Sequence, residues 1–556
     1  MTRKPLSRRS FIKASIAALA GTILAACGSQ ATPSPETVEI PEEGEEPVAE
    51  PSLGPLDKYP EVIDVTVAMV TSLELEIEGR TYDDNPWKRM LLDEYNINMT
   101  LPFKVDWTTY GEKLNLLIAS GDIPDILCVG DSQITQLFDG DLIEDLSVSY
   151  PKAATELTRK SCEAYNGAAL KYYTLGDKLI ALASPPEVDP RYLWVRMDWL
   201  EKLGLPEPKT MADVFMISEA FTKNDPNGTG KDDTHGLSLT GNFYNSDATS
   251  DFGGFANGYH AYAKHWIARD GKIVWGSIQP EMKEALMALK KMYANGELAQ
   301  DFASKQYNHV GDDIVAGKVG MEYGANWNPN WPFSLQLAND PNANWKAFPL
   351  PSIDDKPALA QVSSPVNFFV MCQKKGLNLN DLLVKLLNIG YHKLNESVES
   401  FKTFGIAKDG TPMYRFSPVY LTIWEIGRNS PKNILEAVKS GDPSGLNGPE
   451  MSLYPDIKAY LDGDQSLWSR YAAEIQSKSI LFDDYYANDR ILLPAYQGFP
   501  VPSWVEKGTL LTDLENEAFT KIVMGNDSPT EFEDFVKAWN DLGGADVTKE
   551  INEAAS

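Results

Sequence analysis

The residues Asp225-Pro226-Asn227-Gly228-Thr229-Gly230-Lys231-Asp232-Asp233 place oxygen-bearing groups at alternate positions between glycines. A hard cation such as Ca²⁺ takes about six to eight oxygen ligands, and glycines let a chain curl so that alternate residues turn inward. Asp225, Asn227, Thr229, the Lys231 carbonyl and Asp233 supply that alternation, which matches the first half of an EF-hand loop. Thr229 stands where a stronger ligand is usual, and Thr234-His235-Gly236 ends the stretch with no Glu at the twelfth position. The pattern predicts a structural Ca²⁺ site rather than a catalytic one, with a polar turn that binds nothing as the alternative. Gly230-Lys231 does not make a phosphate loop, because Asp232 follows where Ser or Thr must reach Mg²⁺.

A second kind of chemistry is suggested by Tyr323-Gly324-Ala325-Asn326-Trp327-Asn328-Pro329-Asn330-Trp331-Pro332, whose Gly, Asn and Pro mark a loop. Flat aromatic faces suit the C–H faces of sugar rings, and amides pair with hydroxyls. Tyr323, Asn326, Trp327 and Trp331 are therefore candidate ligand contacts, although Trp327 and Trp331 would equally well pin a long loop. Trp194, Tyr244, Asn367, Trp424, Tyr496 and Gln497 are further candidates, each also a plausible core or loop residue. Carbohydrate is the ligand class these side chains favour. No nucleophile elbow G-x-S-x-G and no H-E-x-x-H is present, and only five His occur, so no motif selects a catalytic pair.

These groups belong to a chain of 556 residues with 50 Lys+Arg, 79 Asp+Glu and 43% apolar residues. A net charge of −29 repels phosphate backbones, which argues against nucleic acid as a partner. Residues 1–26 carry five cations and no acid, then an apolar run from Ala14 to Ala26 too short to span a bilayer. The run ends in Leu24-Ala25-Ala26-Cys27, which resembles a bacterial lipobox, so Cys27 is the expected lipidation site. Ser7-Arg8-Arg9-Ser10-Phe11-Ile12-Lys13 resembles a twin-arginine signal, with Ile where Leu is more usual. Residues 27–60, rich in Pro and Glu, read as an extended tether between a lipid anchor on the outer face of the bacterial cell membrane and a body beginning near Glu61. Cys128, Cys162 and Cys372 lie far apart and leave their pairing open.

The body alternates strands and helices. Val62–Val70 reads as a buried strand, and Asn85-Pro86-Trp87 opens a helix through Leu92 and Tyr95. Ile97–Val105 reads as a strand, Tyr110–Ser120 as a helix, and Ile126–Val129 as a short buried strand. Strand, helix, strand predicts a parallel α/β sheet, in which ligands gather beyond the carboxyl ends of strands. Thr71, Ser72 and Asp131 fall there and are candidate ligand contacts. Thr210 and Asp213 form a capping-box pattern before another helix. Near the end, Ser528-Pro529-Thr530-Glu531 predicts a helix start, with Phe532, Phe535, Val536, Trp539 and Leu542 on one face and Gly543 as its stop.

Several segments together resemble the family 1 extracellular solute-binding lipoproteins of ABC importers, in the branch with oligosaccharide- and alginate-binding members. They are the lipobox, Leu117–Ile126, Leu193–Gly204, the Asp225 loop with its preceding helix, Gly498-Phe499-Pro500 and Leu514–Gly525. The resemblance implies a two-lobe periplasmic-binding-protein-like α/β fold with a ligand cleft between lobes joined by hinge crossings near 183–191, 351–361 and 415–429. It divides the body into an N-terminal lobe of 61–187 with 358–422 and a C-terminal lobe of 188–357 with 423–556. The family's calcium-loop pattern carries over to Asp225, Asn227, Thr229, Lys231 and Asp233, but its next acidic residue is Thr234 here. The implied activity is capture of an extracellular solute, foremost an oligosaccharide, by a monomer that closes on it and delivers it to membrane permease subunits. A secreted glycan hydrolase or lyase, or the same binding fold with a peptide or other small solute, are the alternatives.

Overall fold

The computed structural model describes residues 53–183, 188–243, 249–362, 370–407, 411–421, 429–525 and 530–555. Eight strands build the two larger sheets: β1 (Ile63–Ala68), β2 (Ile97–Thr100), β3 (Ile126–Val129), β4 (Tyr192–Arg196), β5 (His235–Leu237), β6 (Val319–Gly324), β7 (Trp345–Phe348) and β8 (Val370–Gln373).

The first sheet has the order β8-β3-β1-β2. β1 runs parallel to both β2 and β3, as the strand–helix–strand alternation predicts, and β8 closes the edge antiparallel to β3. Helix α1 (Pro86–Tyr95) connects β1 to β2, and α2 (Trp107–Ser120) connects β2 to β3. Their starts and stops are local chemistry. The Asn85 side chain accepts the Lys88 amide and Pro86 occupies the first turn of α1, while Gly121 after α2 takes a left-handed φ of 74°. β2 is shorter than its apolar run suggests: Pro102 lacks the amide that a continued ladder requires. Asp125 then latches the sheet, its carboxylate accepting the Thr66 amide at 2.8 Å and the Thr66 hydroxyl at 2.7 Å.

The second sheet has the order β7-β4-β6-β5, with β6 antiparallel to β4 and parallel to β5. Each sheet carries its own apolar core. One is drawn from Tyr59–Ala183 and Val370–Leu421, the other from Val188–Val362 and Trp468–Ile551. Chain thus crosses between cores after Ala183, after Val362 and after Leu421. Ala358, Ala360 and Val362, assigned from sequence to the first lobe, pack in the second core instead, because Ala360 and Gln361 pair with Ile491 and Leu492. Parts remote in sequence close the first core. Trp87 is fully buried, and its indole N–H lies within hydrogen-bonding distance of the carbonyls of Phe404 and Met413.

At the C-terminus, Phe532, Phe535 and Trp539 are buried on one face of the helix Glu531–Trp539 as expected, whereas Leu542 is exposed. Ser528 and Pro529 lie outside the described residues. Gly543 does not end the helical run. Its φ of 132° makes a kink, and the chain continues as the helix Ala545–Ala554. No helix among the described residues is long and apolar enough to cross a membrane. Cys128 and Cys372 are buried free thiols on neighbouring strands, and burial pushes the Cys128 thiol up to about 12.

Candidate functional site

The carboxyl ends of β1 and β3 are tied together by Tyr110 of α2, whose hydroxyl lies 3.0 Å from the Ala68 carbonyl and 2.7 Å from that of Cys128. The chain leaving β3 turns at Gly130 into the helix α3 (Asp131–Asp139), so Asp131 stands at the strand end in a helix first turn, where the helix dipole favours an anion. Tyr172 donates to Asp131 Oδ2 at 2.7 Å. Burial pushes the Asp131 carboxyl above its ordinary range and the tyrosine hydrogen bond pulls the other way.

Tyr172 is also where the two halves of the molecule meet. Its ring lies 4.9 Å from Tyr173 within the first core and 5.5 Å from Phe499 of the Gly498-Phe499-Pro500 turn. That turn is shaped by Tyr496, whose hydroxyl donates to the Phe499 carbonyl at 2.7 Å. A side chain at Gly498 would meet the same hydroxyl at 2.7 Å, so a larger residue there would have to displace the Tyr496 ring. Tyr496 packs on the second core and Phe499 on the first. Asp131, Tyr172, Tyr496, Gln497 and Phe499 thus form one half-buried polar and aromatic patch at the junction of the lobes.

Thr71 and Ser72 lie beyond β1 as expected, but both are buried and bonded. The Thr71 hydroxyl donates to the Val105 carbonyl at 2.8 Å, the Ser72 amide donates to the Tyr82 hydroxyl, and Ser72 Oγ accepts from Arg415 at 3.0 Å. They shape the strand end, and Arg415, which donates to Ser72, is the exposed residue there. Tyr172 and Arg415 were not among the sequence candidates. Neither lies in a loop motif, and only the fold brings them beside strand ends far away in sequence.

The aromatic loop is anchored from beneath. Trp194 and Tyr323, expected as ligand contacts, are fully buried core residues. Trp194 Nε1 donates to the Ala325 carbonyl at 3.1 Å, and Tyr323 packs so tightly on the helix Phe252–Asn257 that a side chain at Gly254 would come within 2.5 Å of its ring. Asn328 accepts the Ala325 amide and donates to Glu322 Oε1 at 2.7 Å, while Ser250 donates to Glu322 Oε2 through both its amide and hydroxyl. Burial without a cation pushes Glu322 up to about 7. Trp331 is half-buried against Tyr307, with ring centroids 5.6 Å apart, and pins the loop. Asn326 and Trp327 are half-buried on the loop, and the Asn326 amide donates to Asp189 Oδ1 at 3.3 Å. Tyr244, Asn367, Trp424 and Cys27 lie outside the described residues.

The Asp225 loop curls as its glycines predict, with Gly228 at φ 71°, Gly230 at φ 69° and Asp225 itself at φ 46°. Asp225 Oδ1 and Asn227 Oδ1 both accept the Thr229 amide, and Asp225 Oδ2 accepts that of Gly230. Asn227 and Thr229 donate to Asp233 Oδ1 at 3.0 and 3.1 Å. The loop's side chains are thus tied to one another and to its own amides, and their oxygens are of the hard type that a cation such as Ca²⁺ takes. Only two of them are carboxylates, and no cluster of three His, Cys, Asp or Glu suited to a metal occurs among the described residues. Thr234 contributes nothing to the set, because it is buried and its hydroxyl donates to the Phe221 carbonyl. Lys202 caps the loop, donating to the Asp225 and Pro226 carbonyls.

Two α/β lobes crossed by the chain three times, with a polar and aromatic patch at their junction, define a periplasmic-binding-protein-like fold. The family of bacterial extracellular solute-binding proteins matches residues 81–375, and the chain belongs to it. It is 22% identical over 460 residues to the polygalacturonan/rhamnogalacturonan-binding protein YtcQ of Bacillus subtilis, covering 80% of this chain and 82% of that one. Among solved structures it resembles the Streptococcus pneumoniae ABC-transporter substrate-binding protein FusA in complex with kestose, at 15% identity and a TM-score of 0.58, over 89% of this chain and 99% of the other. An EF-hand mutant of FusA in complex with fructo-nystose aligns with the same identity, coverage and TM-score.

Proposed function

We propose that the protein captures an extracellular oligosaccharide in the cleft between its lobes, closes on it by a hinge motion, and hands it unaltered to the permease of an ABC importer. The observation that carries this reading is the Asp131–Tyr172–Phe499 contact, where a strand-end carboxylate and a tyrosine of the first lobe meet the turn that Tyr496, packed on the second core, holds in shape. A ligand held there touches both lobes only when they are together, so binding favours the closed population without any covalent step. Aromatic faces take sugar C–H surfaces, and Asp131, Gln497 and Asn326 take hydroxyls. The similarity to proteins named for pectin-type and fructan-type glycans supports the same ligand class.

The Asp225 loop is proposed to hold a structural Ca²⁺ through Asp225, Asn227, Thr229, the Lys231 carbonyl and Asp233. The bound ion would offset the repulsion between its carboxylates and staple the loop to the lobe. Cys27 is the proposed lipid anchor, with the acidic segment after it as the tether. Calorimetry over a panel of neutral and uronate oligosaccharides tests the cleft reading: one member should bind with heat and with a change in tryptophan fluorescence. Silence in both signals across the panel would overturn it.

A further inference from the structure

A groove of about 630 Å³ lies at the end of the second sheet away from the cleft. Strand register fixes its place. Gly324 pairs with Tyr192 and Phe348 with Leu193 at the end where the aromatic loop departs, whereas Trp345 pairs with Arg196 at the other. The two ends are three strand steps apart, roughly 10 Å. Asn342 and Asn344, which line the groove, precede the far one. The opposite wall comes from Tyr460 at the end of the helix Gly448–Leu461 and from Gln465, Trp468 and Ser469 in the turns that follow. That segment contributes to a small apolar cluster of its own, Ile434, Ile457 and Ile475. Trp468 belongs to the second core and Tyr460 and Leu337 pack on it, so the groove runs along the edge of that core, beside the small cluster.

The walls are chemically selective. None of the residues lining the groove is charged, in a chain where 23% are. The amides of Asn342, Asn344 and Gln465 offer donors and acceptors together, and the Ser469 hydroxyl adds one of each. Tyr460, half-buried and stacked on Tyr471 with centroids 4.5 Å apart, supplies aromatic surface, and the buried Trp468 backs the wall beside it. An ion would find no counter-charge there, whereas a ligand with many hydroxyls and flat C–H faces finds both kinds of partner. Just beyond Ser469 the helix widens into a π turn over Ala472–Gln476, a backbone irregularity that recurs at functional positions.

We propose that this groove is a second carbohydrate site, binding a neutral oligosaccharide outside the cleft and independently of the cleft's own ligand. The test uses the full chain labelled with 5-fluorotryptophan, its Trp468 resonance assigned with Trp468→Phe and followed by ¹⁹F NMR. Maltohexaose and nystose are the probes, and tetragalacturonate is the charged control. At least one neutral probe should shift the Trp468 resonance and the control should not. Asn344→Asp and Gln465→Glu, at exposed positions where folding tolerates change, should weaken that response about tenfold or more by placing a charge in the groove. The response should persist in Asp131→Asn, which alters only the cleft. No shift with either neutral probe up to about 20 mM, a shift indifferent to both charge variants, or a shift lost in Asp131→Asn would each overturn the proposal.

Discussion

Asp131 is a ligand contact only in the proposed cleft reading, and its surroundings make that reading testable. Its carboxyl is raised by burial, and its partner is the neutral Tyr172 hydroxyl rather than a cation. Asp131→Asn should accordingly leave stability at pH 7 unchanged or slightly higher while weakening oligosaccharide binding about tenfold or more, measured by calorimetry beside thermal denaturation. Glu322 carries the opposite assignment, since it anchors the aromatic loop through Ser250 and Asn328. Its folded value of about 7 lies above the ordinary 4.5, so the folded state keeps a proton that the unfolded chain has released. The resulting stability is complete below about pH 4.5 and declines as pH rises through about 7. Glu322→Gln should flatten that decline in denaturant titrations from pH 5 to 8, and an unchanged slope would show that Glu322 titrates elsewhere. Side-chain identity alone did not separate these roles. Trp194 and Tyr323 look like Trp327 in a list of aromatics, and only packing against Phe333 and Gly254 places them in the core.

Elements were legible where their signals are local. The Asn85-Pro86 start and the reciprocal Thr210–Asp213 cap appear in the structure as the sequence spells them, because each needs only neighbours within one turn. The end of the final helix was not, because the left-handed conformation available to Gly543 permits either a stop or a kink, and the packing of Ala545–Ala554 decides. The Asp225 loop is an element of the legible kind, and its prediction belongs here. Ca²⁺ at about a hundredfold over its Kd should add about 2.7 kcal/mol to the stability of the folded state. A chelator should lower the melting temperature correspondingly, and Asp225→Ala or Asp233→Ala should abolish the difference. Equal melting with and without chelator in the unsubstituted protein would assign the loop's order to its internal hydrogen bonds alone.

At the scale of the whole molecule, alternation of strands and helices pointed to a parallel sheet, and the structure contains one in β1, β2 and β3. Less visible was where the chain changes lobe, because Ala358–Val362 is apolar enough for either core and its position is set by pairing with Ile491 and Leu492, more than a hundred residues onward. The patch at the lobe junction was legible in part: Asp131, Tyr496 and Gln497 follow from strand ends and a turn motif, whereas Tyr172, like Arg415 beyond β1, depends on contacts across the fold. The account as a whole claims a clamp whose lobes shut on an intact guest. Small-angle scattering of the full chain, recorded while titrating an oligosaccharide that gives a calorimetric signal, tests this most directly. The account predicts a radius of gyration that falls in step with occupancy and a guest recovered at its original mass; a radius that stays constant at saturation, or a guest recovered as shorter fragments, would contradict it.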